Sequence, residues 1–375
     1  MSIAPAEAER KRKPPRSVMR VIDCDVHNEF RNAPEDLLPH LDPQWRHYIV
    51  NRGFNGLSMR PYALWQGPDR HDTTMADGTR GSAHFDVMLD QHLNAWNFEY
   101  IILTGSSTTL AINYQAQHEW ASALAKATND WTIDTWLSKD RRIKGSMVVA
   151  AQDPEAAARE VDRVAEHPNV VQLVLPTRSP GGVAWADEKY YPIWRAAERH
   201  GLVVGFHLSA DAGNVAPPTT AGWPRSYMEA SSGFVVAAQS ELIGLICRGT
   251  FEKFPALRMA SVENGFGWFP SLIWRLDKHW RELRAEVPWL KRRPSEYARE
   301  HLRFTTQPME EPDDHRHLLQ MIDMMGSEDM LMFSTDYPHW NFDSPERSMP
   351  SVIPDGLKRK IFSENARAFY NLSTS

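Results

Sequence analysis

Asp23-Cys24-Asp25-Val26-His27-Asn28-Glu29 ends a short apolar run that begins at Val18. The run reads as a first strand, and the residues just past its end decide the fold. An open, doubly wound sheet that binds a nucleotide needs a glycine loop here, so that backbone N–H groups can approach a phosphate. This stretch has no glycine and offers carboxylates and a histidine instead. Asp25 and His27 are two apart on a strand, so they share a face. If the sheet closes into a barrel, that face is the inside. A buried Asp and His are costly unless they pair with each other or hold a metal. Asp23 lies on the same side by this count. It is a further inward candidate, or a partner that orients His27.

Outward from this strand the chain alternates. Phe98 to Thr104, Ile143 to Ala150, Val170 to Leu175, Leu202 to His207, Leu257 to Val262, Leu302 to Thr305 and Asp329 to Ser334 read as seven further strands. Helical stretches separate them, over 112–137, 154–167, 189–200, 229–248, 267–286 and 312–325, with 357–370 as the closing helix. Asp153-Pro154 marks one start, with Asp as N-cap and Pro in the first helical position. Eight strands alternating with helices predict a parallel sheet closed as a (β/α)8 barrel, with the doubly wound sheet as runner-up. A helix over 85–97 precedes the second strand. The segment 28–84 before it is rich in Pro and Gly, and it carries Trp45, Tyr48, Phe54, Tyr62 and Trp65. A loop of that length inside a domain is expected to be a lid or a binding segment. Because it comes directly after the first strand, it is expected over the barrel mouth.

Composition narrows the function. The 375 residues carry a net charge of -6, with 42% hydrophobic and 24% charged residues. That balance gives no reason to expect nucleic acid or an anionic membrane. No apolar run reads as long enough to span a bilayer. Two cysteines, Cys24 and Cys247, make no disulfide framework and fit a reducing cytoplasm. The basic start, Glu9 to Arg16, lacks the apolar core of a secretory signal. Residues 1–17 are expected to be a solvated, disordered tail ahead of a single domain over 18–375.

The other candidate residues stand at strand ends. His207 closes the fifth strand. Asp336, in Ser334-Thr335-Asp336-Tyr337-Pro338-His339, comes after the eighth, although Asp-Tyr-Pro is also an ordinary turn sequence. Asp25, His27, His207 and Asp336 together match the ligand set of one divalent ion. Nitrogen and carboxylate donors rank Zn2+ first, with Mn2+ and Fe2+ behind it. Such an ion lowers the pKa of a bound water and polarises a carbonyl. Arg178, after the fourth strand, is a candidate clamp for a substrate carboxylate, or else a surface ion pair. Trp223, Trp268 and Trp340 are candidate walls for an aromatic or apolar substrate, unless they only pack.

In order, several pieces resemble the amidohydrolase superfamily, in its amidohydrolase-2 branch. They are Asp23-Cys24-Asp25-Val26-His27, Tyr190-Tyr191-Pro192-Ile193-Trp194, Gly205-Phe206-His207, Glu263-Asn264-Gly265, Trp274-Arg275-Leu276-Asp277, Ser334 to His339, and Asn365-Ala366. The resemblance runs from about Met19 to Leu372. That branch holds aminocarboxymuconate semialdehyde decarboxylase, resorcylate-type decarboxylases and many hydrolases. It implies a metal on Asp25, His27, His207 and Asp336, and a homodimer. Well-studied decarboxylases of the branch end the sixth strand with a histidine; here the stretch is Ser261-Val262-Glu263-Asn264-Gly265. Glu263 then takes over as acid or base, or only anchors the helix after it. His339 is an alternative proton donor, and Asn264 a candidate substrate contact.

Together these residues read as a metal-dependent hydrolase of an amide, ester or lactone in a small aromatic or carboxylated molecule, with Asp336 as the base for a metal-bound water. The missing histidine lowers the runner-up, non-oxidative decarboxylation of an aromatic or enol carboxylic acid, because carbon protonation needs a placed acid. A barrel that binds a ligand without catalysis is the third reading.

Overall fold

The structure is a computed structural model that describes residues 19–52, 69–208 and 222–374. Eight strands lie side by side in sequence order. They are β1 Val21–Val26, β2 Phe98–Leu103, β3 Ile143–Met147, β4 Val170–Pro176, β5 Val203–His207, β6 Arg258–Val262, β7 Leu302–Thr305 and β8 Leu331–Met332. Each neighbouring pair from β1 to β8 is parallel. The last seam closes through single hydrogen bonds. Cys24 N donates to Phe333 O (2.9 Å), Asp336 N to Asp25 O (3.1 Å) and His27 N to Tyr337 O (2.8 Å). The predicted (β/α)8 barrel is the observed fold.

The strands read as apolar runs because both faces are buried, as parallel sheets require. Every residue of β1, β2 and β5 is buried. One face packs under the helices around large side chains such as Trp136, Trp185 and Trp194. The other supplies Ile22, Cys24, Tyr100, Ile102, Val203, Ala260, Val262 and Met332, which meet Ala366, Phe369 and Tyr370 of the closing segment. Arg258, the first residue of β6, bonds the Phe369 carbonyl, so that segment sits at the N-terminal end of the barrel. The opposite end is left for the site.

The register of β1 holds one irregularity that matters. Asp23 pairs with Ile101 and Val26 with Leu103, so three steps along β1 match two along β2. One extra residue in a strand is a β-bulge, and it reverses the in–out alternation past that point.

Several boundaries differ from the sequence reading. β8 is shorter than the expected 329–334, because the chain leaves the ladder to make the turn around Asp336. Helices at Ala33–Leu37, Pro43–Arg52 and Pro294–His301 were not expected. The last starts with Pro in its first turn, and Glu296 accepts from Arg293 N (2.8 Å). Polar composition hid it. The helical stretch Tyr227–Cys247, of 21 residues, is long and apolar enough to cross a membrane by length and composition, where the sequence reading found no such run. Here Ala238, Leu242, Leu245 and Ile246 bury against the barrel wall.

The described parts of the insertion, 28–52 and 69–84, gather at the C-terminal side of the strands. Leu37, Leu41 and Ile49 bury with Leu110, Ile112, Trp120, Val148 and Ala150. The rings of Trp45 and Tyr48 lie 5.3 and 5.4 Å from that of Trp120. Farther on, Arg70 N donates to Pro338 O (2.9 Å), and Arg80 pairs with Glu29 (2.5 Å). Phe54, Tyr62, Trp65 and the 1–17 tail lie outside the described residues.

Candidate active site

Four strand ends bring Asp25, His27, His207, Glu263 and Asp336 together, all buried. His27 Nδ1 donates to the Gly105 carbonyl (2.6 Å), and its Nε2 lies 2.8 Å from Asp336 Oδ1. His207 Nδ1 donates to the Leu208 carbonyl (2.5 Å). Its Nε2 has no hydrogen-bond partner; it faces Asp25 Oδ1 at 3.4 Å and Glu263 Oε2 at 3.6 Å. Asp25 Oδ1 also accepts from Thr104 Oγ1 (2.6 Å). His339 Nδ1 lies 2.5 Å from Asp336 Oδ1, with its ring 4.2 Å from that of His27.

The donor atoms fall into two overlapping groups, each spanning no more than 4.8 Å: Asp25, His27, His207 and Glu263, and His27, Glu263, Asp336 and His339. Asp25 Oδ2, His207 Nε2 and Asp336 Oδ2 are buried without partners. Orphaned buried polar atoms are costly, and three of them converging here fit a divalent cation. Both ligand-type histidines spend Nδ1 on a backbone carbonyl, which leaves Nε2 as the donor. The residues present therefore suit the ion.

Glu263 was expected as an acid, a base or a helix anchor. It is not the anchor. The next long helix begins at Phe269, and the N–H groups of Phe266 and Gly267 ahead of it are served by Glu310 Oε1 (3.2 and 2.7 Å). Glu263 instead turns into the cluster from a left-handed backbone (φ 57°). Burial, reinforced by Asp336 and Asp25, holds its carboxyl well above the usual range. Burial pushes the His27 imidazole down, but Asp25, Asp336 and Glu263 outweigh it and raise it to about 10. Asp336 is pushed up by burial and more than compensated by His339 and His27, ending below the usual carboxylate range.

Asp23 departs from its expected role. It neither enters the cluster nor touches His27. Its Oδ2 accepts from His92 Nε2 (2.9 Å), on the helical stretch ahead of β2. The bulge is the reason, since it sends Asp23 and Asp25 to different partners. Thr104, Gly105 and Leu208 carry no sequence signal, because they act through a hydroxyl and two carbonyls.

The proposed substrate contacts are scattered. Asn264 is spent internally: Nδ2 donates to Phe206 O (2.9 Å) and Val262 O (2.8 Å), and Oδ1 accepts from Thr177 Oγ1 (3.1 Å). Trp268 Nε1 donates to the Asn264 and Gly265 carbonyls, and its ring packs 5.6 Å from Phe304. Arg178 lies just past β4, and its carbonyl accepts from Tyr114 (2.6 Å). Trp223 and Trp340 are about half exposed, at 47% and 51%. Trp340 lies edge-on to Tyr227 at 6.3 Å and borders a cavity of about 710 Å³ next to the turn after β8.

The sequence profile of the amidohydrolase family matches residues 76–372. Gamma-resorcylate decarboxylase of Rhodococcus jostii is 26% identical over 297 residues, 76% of this chain and 86% of that protein. The enzyme of the same name from a Polaromonas species is 24% identical, with the same coverage. Among solved structures, an amidohydrolase of Mycobacterium avium superposes with a TM-score of 0.71 at 21% identity, covering 94% of this chain and all (100%) of that one. Manganese-bound 5-carboxyvanillate decarboxylase of Novosphingobium aromaticivorans gives 0.70 at 22% identity, covering 95% and 98%. Hydrolysis, ranked first for want of a sixth-strand histidine, is overturned by the two resorcylate relatives, whose named activity is decarboxylation. The end of the sixth strand does not lack an acid, because Glu263 occupies it. The chain is an enzyme, and it belongs to the amidohydrolase family.

Proposed function

We propose that this enzyme is a metal-dependent, non-oxidative decarboxylase of an aromatic carboxylic acid. The observation that carries the reading is Glu263, a buried carboxyl that belongs to both groups of donor atoms and is raised by burial and by the charges of Asp336 and Asp25. Replacing a ring carboxylate by hydrogen needs a proton delivered to carbon, after which the carbon–carbon bond breaks and carbon dioxide leaves. Glu263 Oε2, 3.6 Å from His207 Nε2, is the proposed donor.

Asp25, His27, His207 and Asp336 are the proposed ligands of one divalent ion, with Mn2+ tested ahead of Zn2+. Two carboxylates and two imidazoles suit it, and the Novosphingobium enzyme holds manganese. Bound there, such an ion would supply positive charge that stabilises the substrate carboxylate. His339 holds Asp336 in place through Nδ1. Burial, with the charges of Asp336 and Asp25, favours the protonated form of Glu263. The 28–84 segment is proposed as the cover of the mouth, within one domain over 18–375. A homodimer and a cytoplasmic setting are proposed as well; sedimentation as a monomer at micromolar concentration would refute the dimer.

The test is carbon dioxide release from the Mn2+-loaded enzyme over a panel that includes 2,6-dihydroxybenzoate and 5-carboxyvanillate. Release that depends on Mn2+ supports the reading. No release from any aromatic acid by a protein shown to hold Mn2+ would overturn it.

A further inference from the structure

Asp23 is fully buried, close to the proposed ligand Asp25 on the bulged strand, yet it holds no part of the donor cluster. Its carboxylate is saturated. Oδ1 accepts from Thr335 N (2.9 Å) and from Asp25 N (3.2 Å). Oδ2 accepts from Thr335 Oγ1 (2.6 Å) and from His92 Nε2 (2.9 Å). A carboxylate has about four acceptor sites, and four donors fill these.

Two of those donors are the backbone and hydroxyl of the residue before Asp336. Asp336 itself has a left-handed backbone (φ 58°), a conformation uncommon outside glycine, although aspartate takes it more readily than most residues. The Thr335 hydroxyl also accepts from Tyr337 N (3.2 Å), so both residues flanking Asp336 are tied to the same carboxylate. A third donor is the backbone N–H of Asp25, a proposed ligand two residues on in the same strand. The fourth, His92, sits between the rings of Phe98 (4.5 Å) and Tyr337 (4.6 Å) and is fully buried.

We propose that Asp23 is a positioning residue that fixes the spacing of Asp25 and Asp336 across the β1–β8 seam, with Thr335 and His92 as its clamp. This rests on the reading of Asp25 and Asp336 as ligands of one divalent ion. The bulge in β1 is what allows it. It lets near neighbours in sequence serve opposite sides of the sheet, Asp25 toward the ion and Asp23 toward the surrounding helix. The clamp acts on geometry, so its effect falls on metal affinity.

The experiment is calorimetric titration of the full chain, freed of metal, with Mn2+, alongside thermal unfolding of the metal-free protein. Partners that orient ligands are typically worth about 10- to 100-fold in metal affinity. Asp23→Asn removes the charge and turns an N–H₂ toward donors, and it should weaken Mn2+ binding by that range. Thr335→Val keeps the volume and the backbone bond but loses the hydroxyl, and about 10-fold is expected. Thr335→Ser restores the hydroxyl and should restore the affinity. If Asp23→Asn proves too unstable to titrate, the Thr335 pair carries the test. Variants that melt earlier but bind Mn2+ as the wild type does would show Asp23 to be a structural residue only and overturn the proposal. Wild-type protein that takes up no Mn2+ would remove the ligand set itself, and this proposal with it.

Discussion

Asp336 and Glu263 share an unusual backbone, with φ of 58° and 57° at the ends of β8 and β6. Left-handed conformations at residues other than glycine cost on the order of 1–3 kcal/mol and persist only where surrounding bonds hold them. Asp336 N is held by Asp25 O (3.1 Å), and Glu263 N by Thr305 Oγ1 (3.0 Å). In both cases the twist carries a carboxylate into the cluster that an extended strand end would direct elsewhere. The two residues have different proposed jobs, and paired variants separate them. Glu263→Gln keeps the shape and loses the proton donor. Turnover should fall by at least about 10², while calorimetry shows Mn2+ affinity retained. Asp336→Asn should lose Mn2+ affinity first, and turnover with it. The opposite pattern, Glu263→Gln losing Mn2+ while Asp336→Asn keeps it, would exchange their roles. Glu263 would then be a ligand in the group with Asp25, His27 and His207.

At the scale of elements, the strands were legible because a buried parallel strand leaves an apolar run whatever surrounds it. The strand ends were legible for the same reason, since polar residues that interrupt such runs stand out, as His207 does after Val203-Val204-Gly205-Phe206. What stayed hidden was register. Alternation counted along β1 puts Asp23 beside Asp25, and only the pairing with β2 shows the extra residue. The interior of the barrel is equally opaque to periodicity. Gln172 on β4 donates from Nε2 to Ser146 Oγ (2.8 Å) on β3 and accepts at Oε1 from Tyr370 (2.6 Å), bridging two strands and the closing segment. Gly205 on β5 leaves the room for it, since a Cβ there would lie 2.6 Å from Gln172 Cδ. Pinned at both ends, Gln172 has no free rotamer to retreat into. Gly205→Ala should therefore destabilise the protein by about 1–3 kcal/mol in urea unfolding. The additional change Gln172→Ala should recover part of that loss. An unaltered urea midpoint in Gly205→Ala would mean that the layer is looser than these distances imply.

For the whole molecule, stability as a function of pH depends on buried carboxyl groups outside the donor cluster, which composition and net charge say nothing about. Glu241 lies midway along the helix Val235–Cys247 and ties it to the loop after β4, accepting from Trp185 N (2.9 Å) and from Ser179. Burial raises its carboxyl, and the bonds from Trp185 and Ser179 with the nearby charge of Arg248 only partly offset this, leaving it at about 7 against an ordinary 4.5. The folded protein thus keeps a proton that the unfolded chain releases between 4.5 and 7. Its contribution to stability is full below the lower value and is lost as pH rises through the upper one. Asp343 is also raised to about 7, by burial with Glu311 and Asp336, and loses stability in the same direction. Glu241→Gln removes one of these two groups and leaves the other. Urea midpoints measured at a series of pH values across that window should fall less steeply for Glu241→Gln than for the wild type, with the difference between the two proteins growing toward alkaline pH. The difference isolates Glu241, because every other titrating group is common to both proteins. Parallel curves would show that Glu241 is ionised in the folded state throughout the window, and that Trp185, Ser179 and Arg248 outweigh its burial.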